Sequence, residues 1–347
     1  MTSLPPTTRK PKDRDFIRTP EGMFFCVTGY LHPPERYTAY LKYSPDSTGR
    51  WRGGAVAYRR EVTYYHASNV ADTLRYLEAR YPQYVAECPV RGIRFSMVPQ
   101  EAVAHYYVPQ TRLAEVISNP ADSLEAIARD LALEIATAAG ITTDNLGITG
   151  SILIRLHHLK LSDVNLLVYG AENARRVRAV LRDRRCRALA PVDAAIRERW
   201  VQEMSAWFPL TPAEARYNVE RRWNYGTYRG RFFGIHATRT DDEITEQYGD
   251  HIYRGLGRVR LEATLTSTVE ALFQPAVYAV DDVEVLEGER AAAQVREIVS
   301  YEGRYRDIAE VGERVEALGK LERVDGVPRR LVIGTTALKG REYIKKR

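Results

Sequence analysis

Cysteine is scarce. Cys26, Cys88 and Cys186 are the three in 347 residues, far apart, with no CxxC and no histidine at metal-ligand spacing, which argues against a disulfide framework or a zinc knuckle. They read as reduced core or surface thiols of a cytoplasmic protein. Long apolar runs are missing too: nothing approaches the roughly 18 residues that a membrane span requires, so no transmembrane segment is expected. The opening MTSLPPTTRKPKDRD has prolines and basic residues but no apolar centre, so it does not read as a secretory signal. A disordered tail over 1–14 is the expectation. No Walker loop or HExxH occurs, and GLGRVRLE lacks the third glycine of a dinucleotide fingerprint.

What is present is enough chain for two or three cores at the usual domain size. The net charge of +6 is compatible with a polyanionic partner. Short alternating runs rich in Val, Tyr and Phe, broken by Pro and Gly, predict strands and hairpins from Met23 to Tyr65. A helix is expected over Asn69–Tyr81 and a strand in RGIRFSMV. Leu124, Ile127, Leu131 and Ile135 set the stripe of a second helix, with Asn119 as cap, Pro120 at its first position and Gly140 after its end. Further helices are expected over Ala171 to about Arg187, Val192–Trp207 and Pro212–Trp223. From Tyr228 onward the period alternates, and GERVEALGKLERVDG suits a small OB-like barrel. The expected fold is α+β: a tail over 1–14, an N-terminal α+β module over 15–108, a central mixed-sheet domain with helices over 109–240, and a C-terminal β-barrel domain over 241–347.

The chemistry concentrates in TGSILIRLHHLKLSDVNLLVYG, Thr149 to Gly170. In a strand every second side chain shares a face, so Asp163, Asn165, Leu167 and Tyr169 point one way and Val164, Leu166 and Val168 the other. Asp163 and Asn165 are then about 6 to 7 Å apart at Cα, within reach of one cation. The residues between Gly150–Ser151 and Asp163 leave room for about two helical turns. Glycine lets a backbone approach an anion, and amides at a helix start hold phosphate oxygens. Taken alone, the pair also reads as a strand-to-helix turn with a capping serine.

This layout resembles the nucleotidyltransferase superfamily that includes DNA polymerase beta, kanamycin nucleotidyltransferase and the minimal nucleotidyltransferases. Its signature is Gly-Ser or Gly-Gly, about ten residues, then Asp-x-Asp or Asp-x-Glu heading a strand, with a third carboxylate on a neighbouring strand. Gly150, Ser151 and Asp163 match over about twenty residues, and the order of modules is similar to that of uncharacterised archaeal predicted nucleotidyltransferases. The resemblance implies a nucleotidyltransferase-like domain binding a nucleoside triphosphate with Mg²⁺: Gly150 and Ser151 on phosphates, Asp163 and Asn165 as metal-holding and catalytic residues. The sequence departs from the pattern at Asn165, where the superfamily has its second carboxylate. A carboxylate about 4 Å from a cation contributes on the order of 4 kcal/mol per unit charge at an effective dielectric near 20, which an amide oxygen cannot match. For the third position the strand RFFGIHATR offers His236 and no acid; Glu262 and Asp193 are the other candidates.

Arg175, Arg178, Arg182 and Arg185 recur at helical spacing, which builds either a nucleic-acid-binding stripe or a solvated face. Arg216 to Phe233 interleaves arginine with aromatics, suited to RNA or DNA stacking or to a core. His157 and His158 read as surface or capping residues. Two functions follow. One is a nucleotidyltransferase moving a nucleotidyl group to a hydroxyl acceptor; the other is a degenerate relative that binds RNA or DNA.

Overall fold

The computed structural model describes residues 9–62, 67–183, 185–186, 188–338 and 341–347. In chain order the elements are β1 (Phe16–Arg18), β2 (Phe24–Val27), β3 (Arg36–Pro45), β4 (Trp51–Gly53), β5 (Val56–Arg60), α1 (Ala67–Arg80), β6 (Val85–Cys88), β7 (Ile93–Pro99) and β8 (His105–Tyr107). Then come α2 (Pro109–Ser118), α3 (Ser123–Ala139), β9 (Leu146–Thr149), β10 (Val164–Tyr169), α4 (Ala171–Arg182), β11 (Leu189–Pro191), α5 (Ala194–Trp207) and α6 (Pro212–Glu220). The chain finishes with β12 (Tyr225–Tyr228), β13 (Arg231–Thr238), β14 (Tyr253–Ser267), β15 (Ala276–Glu287), β16 (Glu297–Ser300), β17 (Arg314–Val324), β18 (Val327–Ile333) and β19 (Tyr343–Lys346). The result is a mixed α+β fold with several sheets.

The chain divides into two compact units, each drawn from three stretches. Unit 1 gathers the described residues of Met1–Thr63, Ser96–Val192 and Trp223–Thr245; unit 2 gathers those of Tyr64–Phe95, Asp193–Arg222 and Glu246–Arg347.

Unit 1 holds two sheets. The first runs β4-β5-β3-β2-β1-β8, with Met97–Pro99 of β7 pairing to Arg36–Thr38 of β3. The second runs β11-β12-β13-β10-β9, with β10 parallel to β13 and antiparallel to β9. On one face Ile148, Val164, Leu166, Val168, Phe233 and Ile235 are all buried. Helices α2, α3 and α4 contact strands of this sheet, and α3 presents Leu124, Ala128, Leu131, Ala132 and Ile135 to the core.

The other face of that sheet mixes Thr149, Asn165, Tyr225 and His236 with the buried Leu167 and Tyr169. Residues 9–14, expected in a disordered tail, are packed: Lys12 and Asp13 are buried, and the Asp15 carboxylate accepts hydrogen bonds from Arg9, from the Lys12 amide and from the Tyr106 hydroxyl at 2.6–2.9 Å. Residues 1–8 of the expected tail lie outside the described residues.

Unit 2 contains α1, α5, α6 and a sheet ordered β14-β15-β16-β18-β17-β19, in which β17 also pairs with β14. β16 and β18 are parallel. The sheet curls into a half-barrel. Along β14, Val259, Leu261, Ala263 and Leu265 are buried while Arg258, Arg260, Glu262 and Thr264 alternate with them, the period of a half-buried strand. Val201, Met204, Phe208 and Leu210 join Ala215 and Val219 in the same core.

Several sequence expectations shift at this level. The helix expected from Pro120 starts later: the Asp122 side chain caps it, accepting from the amides of Leu124 and Glu125 at 2.8 and 3.0 Å. Asn119 instead closes the C-terminus of α2, a helix that the sequence reading did not separate. A carboxylate with two free amides two and three residues ahead outcompetes an asparagine three positions earlier. Gly140 does end α3, in the left-handed region at φ 63°, as a C-cap glycine should. Helix α4 stops at Arg182, short of Arg187; Arg187 itself lies outside the described residues. Replacing Asp122 with alanine is expected to cost about 1–2 kcal/mol and Asn119→Ala less than about 0.5 kcal/mol, read from the shifts in chemical-denaturation midpoints.

Candidate functional site

Thr149, Asn165, Gly234 and Tyr225 form one row across the second sheet of unit 1, since Asn165 pairs with Thr149 and with Gly234, and Gly234 pairs with Tyr225. Paired residues share a face. One step along, Leu167 pairs with Gly147 and with His236, so His236 projects from the same face. The expected alternation of β10, with Asn165 and Leu167 on one side and Val164, Leu166 and Val168 on the other, therefore agrees with the pairing.

Gly150 follows β9 at φ 70°, a backbone state that glycine reaches without strain. A Cβ placed on it would lie 3.6 Å from Asn165 Nδ2, so the turn and the asparagine are neighbours. Gly234 has less room. A Cβ there would sit 2.9 Å from Asn165 Oδ1, 3.1 Å from the Tyr225 ring and 3.3 Å from His236 Nε2. Three polar side chains thus converge over one bare backbone position.

The segment after Gly150 is not the expected helix. Residues 150–155 are a succession of turns, with Arg155 at φ 56° and Ile152, Leu153, Ile154 and Leu156 buried. Four apolar side chains in so short a stretch cannot all lie on one helical stripe, and irregular turns bury them together. No helix dipole therefore points at Gly150. The Ser151 hydroxyl is within hydrogen-bond distance of the Ser162 hydroxyl, at 3.1 Å, and Ser162 Oγ in turn accepts from the His158 amide at 2.9 Å. Ser151 closes its own loop, and Ser151 is buried.

The far side of this loop is clamped to α2 and α3. Arg112 donates to the Ile152 carbonyl at 3.3 Å and ion-pairs with the buried Glu125. Arg155 reaches Glu115 at 2.8 Å. His157 Nε2 lies 2.7 Å from Asp122 Oδ2. Burial alone would push the Asp122 carboxyl up, but the bonds from His157 and from the Glu125 and Leu124 amides hold it below the usual carboxylate range. Asp122, Glu125 and His157 offer ligand atoms all within 4.8 Å of one another, a group able to chelate a metal ion. Its mixed carboxylate and imidazole character suits a transition metal better than Mg²⁺, and Arg112 already neutralises Glu125. The sequence reading had given His157 a surface or capping role. Its partner is the capping aspartate 35 residues away, a contact that spacing does not reveal.

Asp163, partly exposed, precedes β10; its charge is a lesser influence on Lys42 and Tyr43 of β3, where burial dominates. Lys42 stands over the Tyr40 ring at 5.5 Å, and Tyr40 pairs with Cys26. Burial, with Arg60 and Arg14 nearby, pushes the Lys42 ammonium down to about 7 against the opposing influence of Cys26 and Asp163. Burial likewise pushes the Cys26 thiol up to about 11, so it is no nucleophile at neutral pH. Arg14 completes the group. Its carbonyl accepts from Thr149 Oγ1 at 2.8 Å, its backbone is left-handed at φ 71°, and its Nε is buried without a hydrogen-bond partner. Neither Arg14 nor Lys42 was singled out from sequence, because each lies over 100 positions from the motif.

The candidate third carboxylates are engaged elsewhere. Glu262 belongs to unit 2, where Arg314 and Arg347 pair with it at 3.1 and 2.6 Å and hold its carboxyl below the usual carboxylate range. Asp193 caps α5 through the Ala195 amide at 2.7 Å. On β13 the position beside Asn165 is Gly234. The arginine stripe is not bare: Glu172 pairs with Arg175 and Arg176 at 2.8 and 3.1 Å, and Asp183 lies 3.4 Å from Arg185. Arg178 and Arg182 also make contacts of their own.

Fold and site define a two-unit α+β protein in which a polar sheet face, a glycine turn and a group of cations meet. The chain is 30% identical over 352 residues to the uncharacterized protein MJ1086 of Methanocaldococcus jannaschii, covering 97% of this chain and 99% of that protein. It belongs to the same family. No family model matches the chain, and no solved structure matches it. Among the described residues no helix is long and apolar enough to cross a membrane.

Gly234→Ala is expected to displace the Asn165 side chain and cost about 1–2 kcal/mol, the range for added bulk in a packed site. Chemical denaturation measures the loss, and the Asn165 side-chain amide resonances report the displacement.

Proposed function

We propose that unit 1 is a nucleotidyltransferase-like domain that binds a nucleoside triphosphate with one Mg²⁺, and that unit 2 carries an OB-like barrel. The observation that carries the reading is the adjacency of Gly150 to Asn165 across the β9–β10 ladder, with Asp163 heading the same strand. The open backbone at Gly150 suits a phosphate, and the Asp163 carboxylate with an Asn165 carbonyl oxygen suits one hard cation that the triphosphate also ligates. Mg²⁺ there would neutralise phosphate charge. The donor set does not suit a second ion: Asn165 replaces one carboxylate, Gly234 and His236 stand where the other is expected, and Glu262 is held by arginines. The proposal is therefore of nucleotide binding rather than two-metal transfer, which needs both ions.

For unit 2, the strand sequence β14-β15-β16-β18-β17, the return pairing of β17 to β14 and the parallel β16–β18 pair support the barrel reading. Nucleic acid gripped by α4 has weaker support, because Glu172 and Asp183 already pair with Arg175, Arg176 and Arg185.

Calorimetry of the full chain with ATP, CTP, GTP and UTP tests the reading. We expect Mg²⁺-enhanced binding of at least one nucleotide, and Asp163→Ala to remove that enhancement, a loss of about tenfold or more given the charge lost. No heat with any nucleotide, with or without Mg²⁺, would falsify it. Labelled nucleotide incubated with cellular fractions should be recovered unchanged.

A further inference from the structure

The turns that follow Gly150 are tied to α2 and α3 by charged groups at three places. Arg112 donates to the Ile152 carbonyl at 3.3 Å, Arg155 pairs with Glu115 at 2.8 Å, and His157 Nε2 lies 2.7 Å from Asp122 Oδ2. The third tie has more to it than a pair. His157 Nε2 is also 3.9 Å from Glu125 Oε1, and ligand atoms of Asp122, Glu125 and His157 all lie within 4.8 Å of one another. Asp122 caps α3 and Glu125 comes three residues later, so both project from its first turn. The side chains of Glu125 and His157 are 1% and 9% exposed, and Asp122 is partly exposed.

Each group keeps a ligand atom in reserve. Asp122 uses Oδ1 for the cap, accepting from the Leu124 and Glu125 amides at 2.8 and 3.0 Å, which leaves Oδ2 to face His157. Glu125 is oriented by the Ala121 amide on Oε2 at 2.9 Å and by Arg112 on Oε1. A carboxylate oxygen has a second lone pair, so Arg112 fixes Oε1 without filling it, as outer partners of a metal-ligating carboxylate do. His157 Nδ1 is buried with no hydrogen-bond partner. A ring with its proton on Nδ1 therefore gives up only the bond to Asp122, and it turns the Nε2 lone pair toward two carboxylate oxygens. That arrangement needs a cation in its midst. The charges agree, since Glu115, Asp122 and Glu125 set three carboxylates against the two guanidiniums of Arg112 and Arg155.

We propose that Asp122 Oδ2, Glu125 Oε1 and His157 Nε2 bind one transition-metal ion of the Zn²⁺ kind, with water from the Asp122 side in a fourth position, and that this ion fastens the turns after Gly150 to the first turn of α3. Zinc bonds of about 2.0–2.2 Å set tetrahedral ligand atoms about 3.3–3.6 Å apart. The Nε2 separations of 2.7 and 3.9 Å straddle that spacing, so small side-chain rotations reach it. Mg²⁺ takes oxygen ligands in a near-octahedral shell and does not suit the imidazole. The site is independent of the nucleotide-binding reading, whose groups are Gly150, Asp163 and Asn165.

The test uses the full chain, stripped with EDTA, loaded with zinc chloride, dialysed and assayed for metal by mass spectrometry. One zinc per chain should remain, and excess Mg²⁺ should not displace it. Asp122→Asn, which keeps an acceptor for the α3 cap, and His157→Gln should each weaken zinc binding by about tenfold or more. Zinc should raise the thermal midpoint of the wild type and leave that of either variant nearly unmoved. In the unaltered protein, Co²⁺ should give d–d absorption with no thiolate charge-transfer band, so the result does not depend on any variant folding. Loss of all zinc on dialysis, zinc retained equally by both variants, or a thiolate band would overturn the site. Bound zinc that leaves the wild-type midpoint unchanged would overturn the fastening role. Nucleotide calorimetry in EDTA-treated, Mg²⁺-supplemented protein reads the other proposal separately.

Discussion

The Asp15 carboxylate is fully buried, yet it accepts from Arg9 twice, from the Lys12 amide and from the Tyr106 hydroxyl. A buried carboxylate with its lone pairs filled is tolerable, whereas one stripped of partners costs about 3–5 kcal/mol. The folded chain therefore has to keep residues 9–15 in place, with Lys12 bonded to Asp241 and Lys10 reaching the Ile244 carbonyl at 2.6 Å. Arg14 lies inside this anchored stretch. Its left-handed backbone would cost on the order of 1 kcal/mol in a free chain; here the Val27 carbonyl takes its amide at 2.9 Å and Thr149 bonds its carbonyl. The Arg14 backbone is therefore fixed from both sides.

The register of β10 supplies the other half of the arrangement. A slip by one residue would turn Val164, Leu166 and Val168 toward the polar segment and drive Asn165 into the helices. Both neighbours resist that slip: β9 and β13 are themselves buried on the helical face through Ile148 and Ile235. The sheet thus locks the row of Thr149, Asn165 and Tyr225 into one orientation, and Gly234 leaves the space into which Asn165, Tyr225 and His236 lean.

Which residues of β10 share a face was legible because strand periodicity is local, although Leu167 and Tyr169 are buried on the same side as Asn165. The glycine turn, the end of α3 at Gly140 and the alternation along β14 were legible for the same reason. What failed were decisions between close competitors. Asn119 and Asp122 both suit a helix cap, and only the free amides of Leu124 and Glu125 decide between them. The segment after Ser151 has enough apolar residues for a helix, but Leu156 packs toward Gly53 and Ser151 bonds to Ser162, so long-range burial overrides helix propensity. Arg14, Lys42 and Asp15 were invisible to spacing. Thr149 bonds the Arg14 carbonyl, Asp15 is held by Arg9 and the Lys12 amide and Lys42 lies on β3, and none of these placements leaves a periodic trace.

On the proposed nucleotide-binding reading, Asn165 stands where the nucleotidyltransferase resemblance implies a second carboxylate. Two carboxylates two residues apart repel unless metal ions neutralise them, and a site that relies on such ions is occupied only when they are bound. With Asn165 neutral, the negative charge at the head of β10 is that of Asp163. On the same proposed reading, a neutral Asn165 would both withhold a ligand from a second metal ion and lessen the repulsion that a phosphate chain meets at the head of β10.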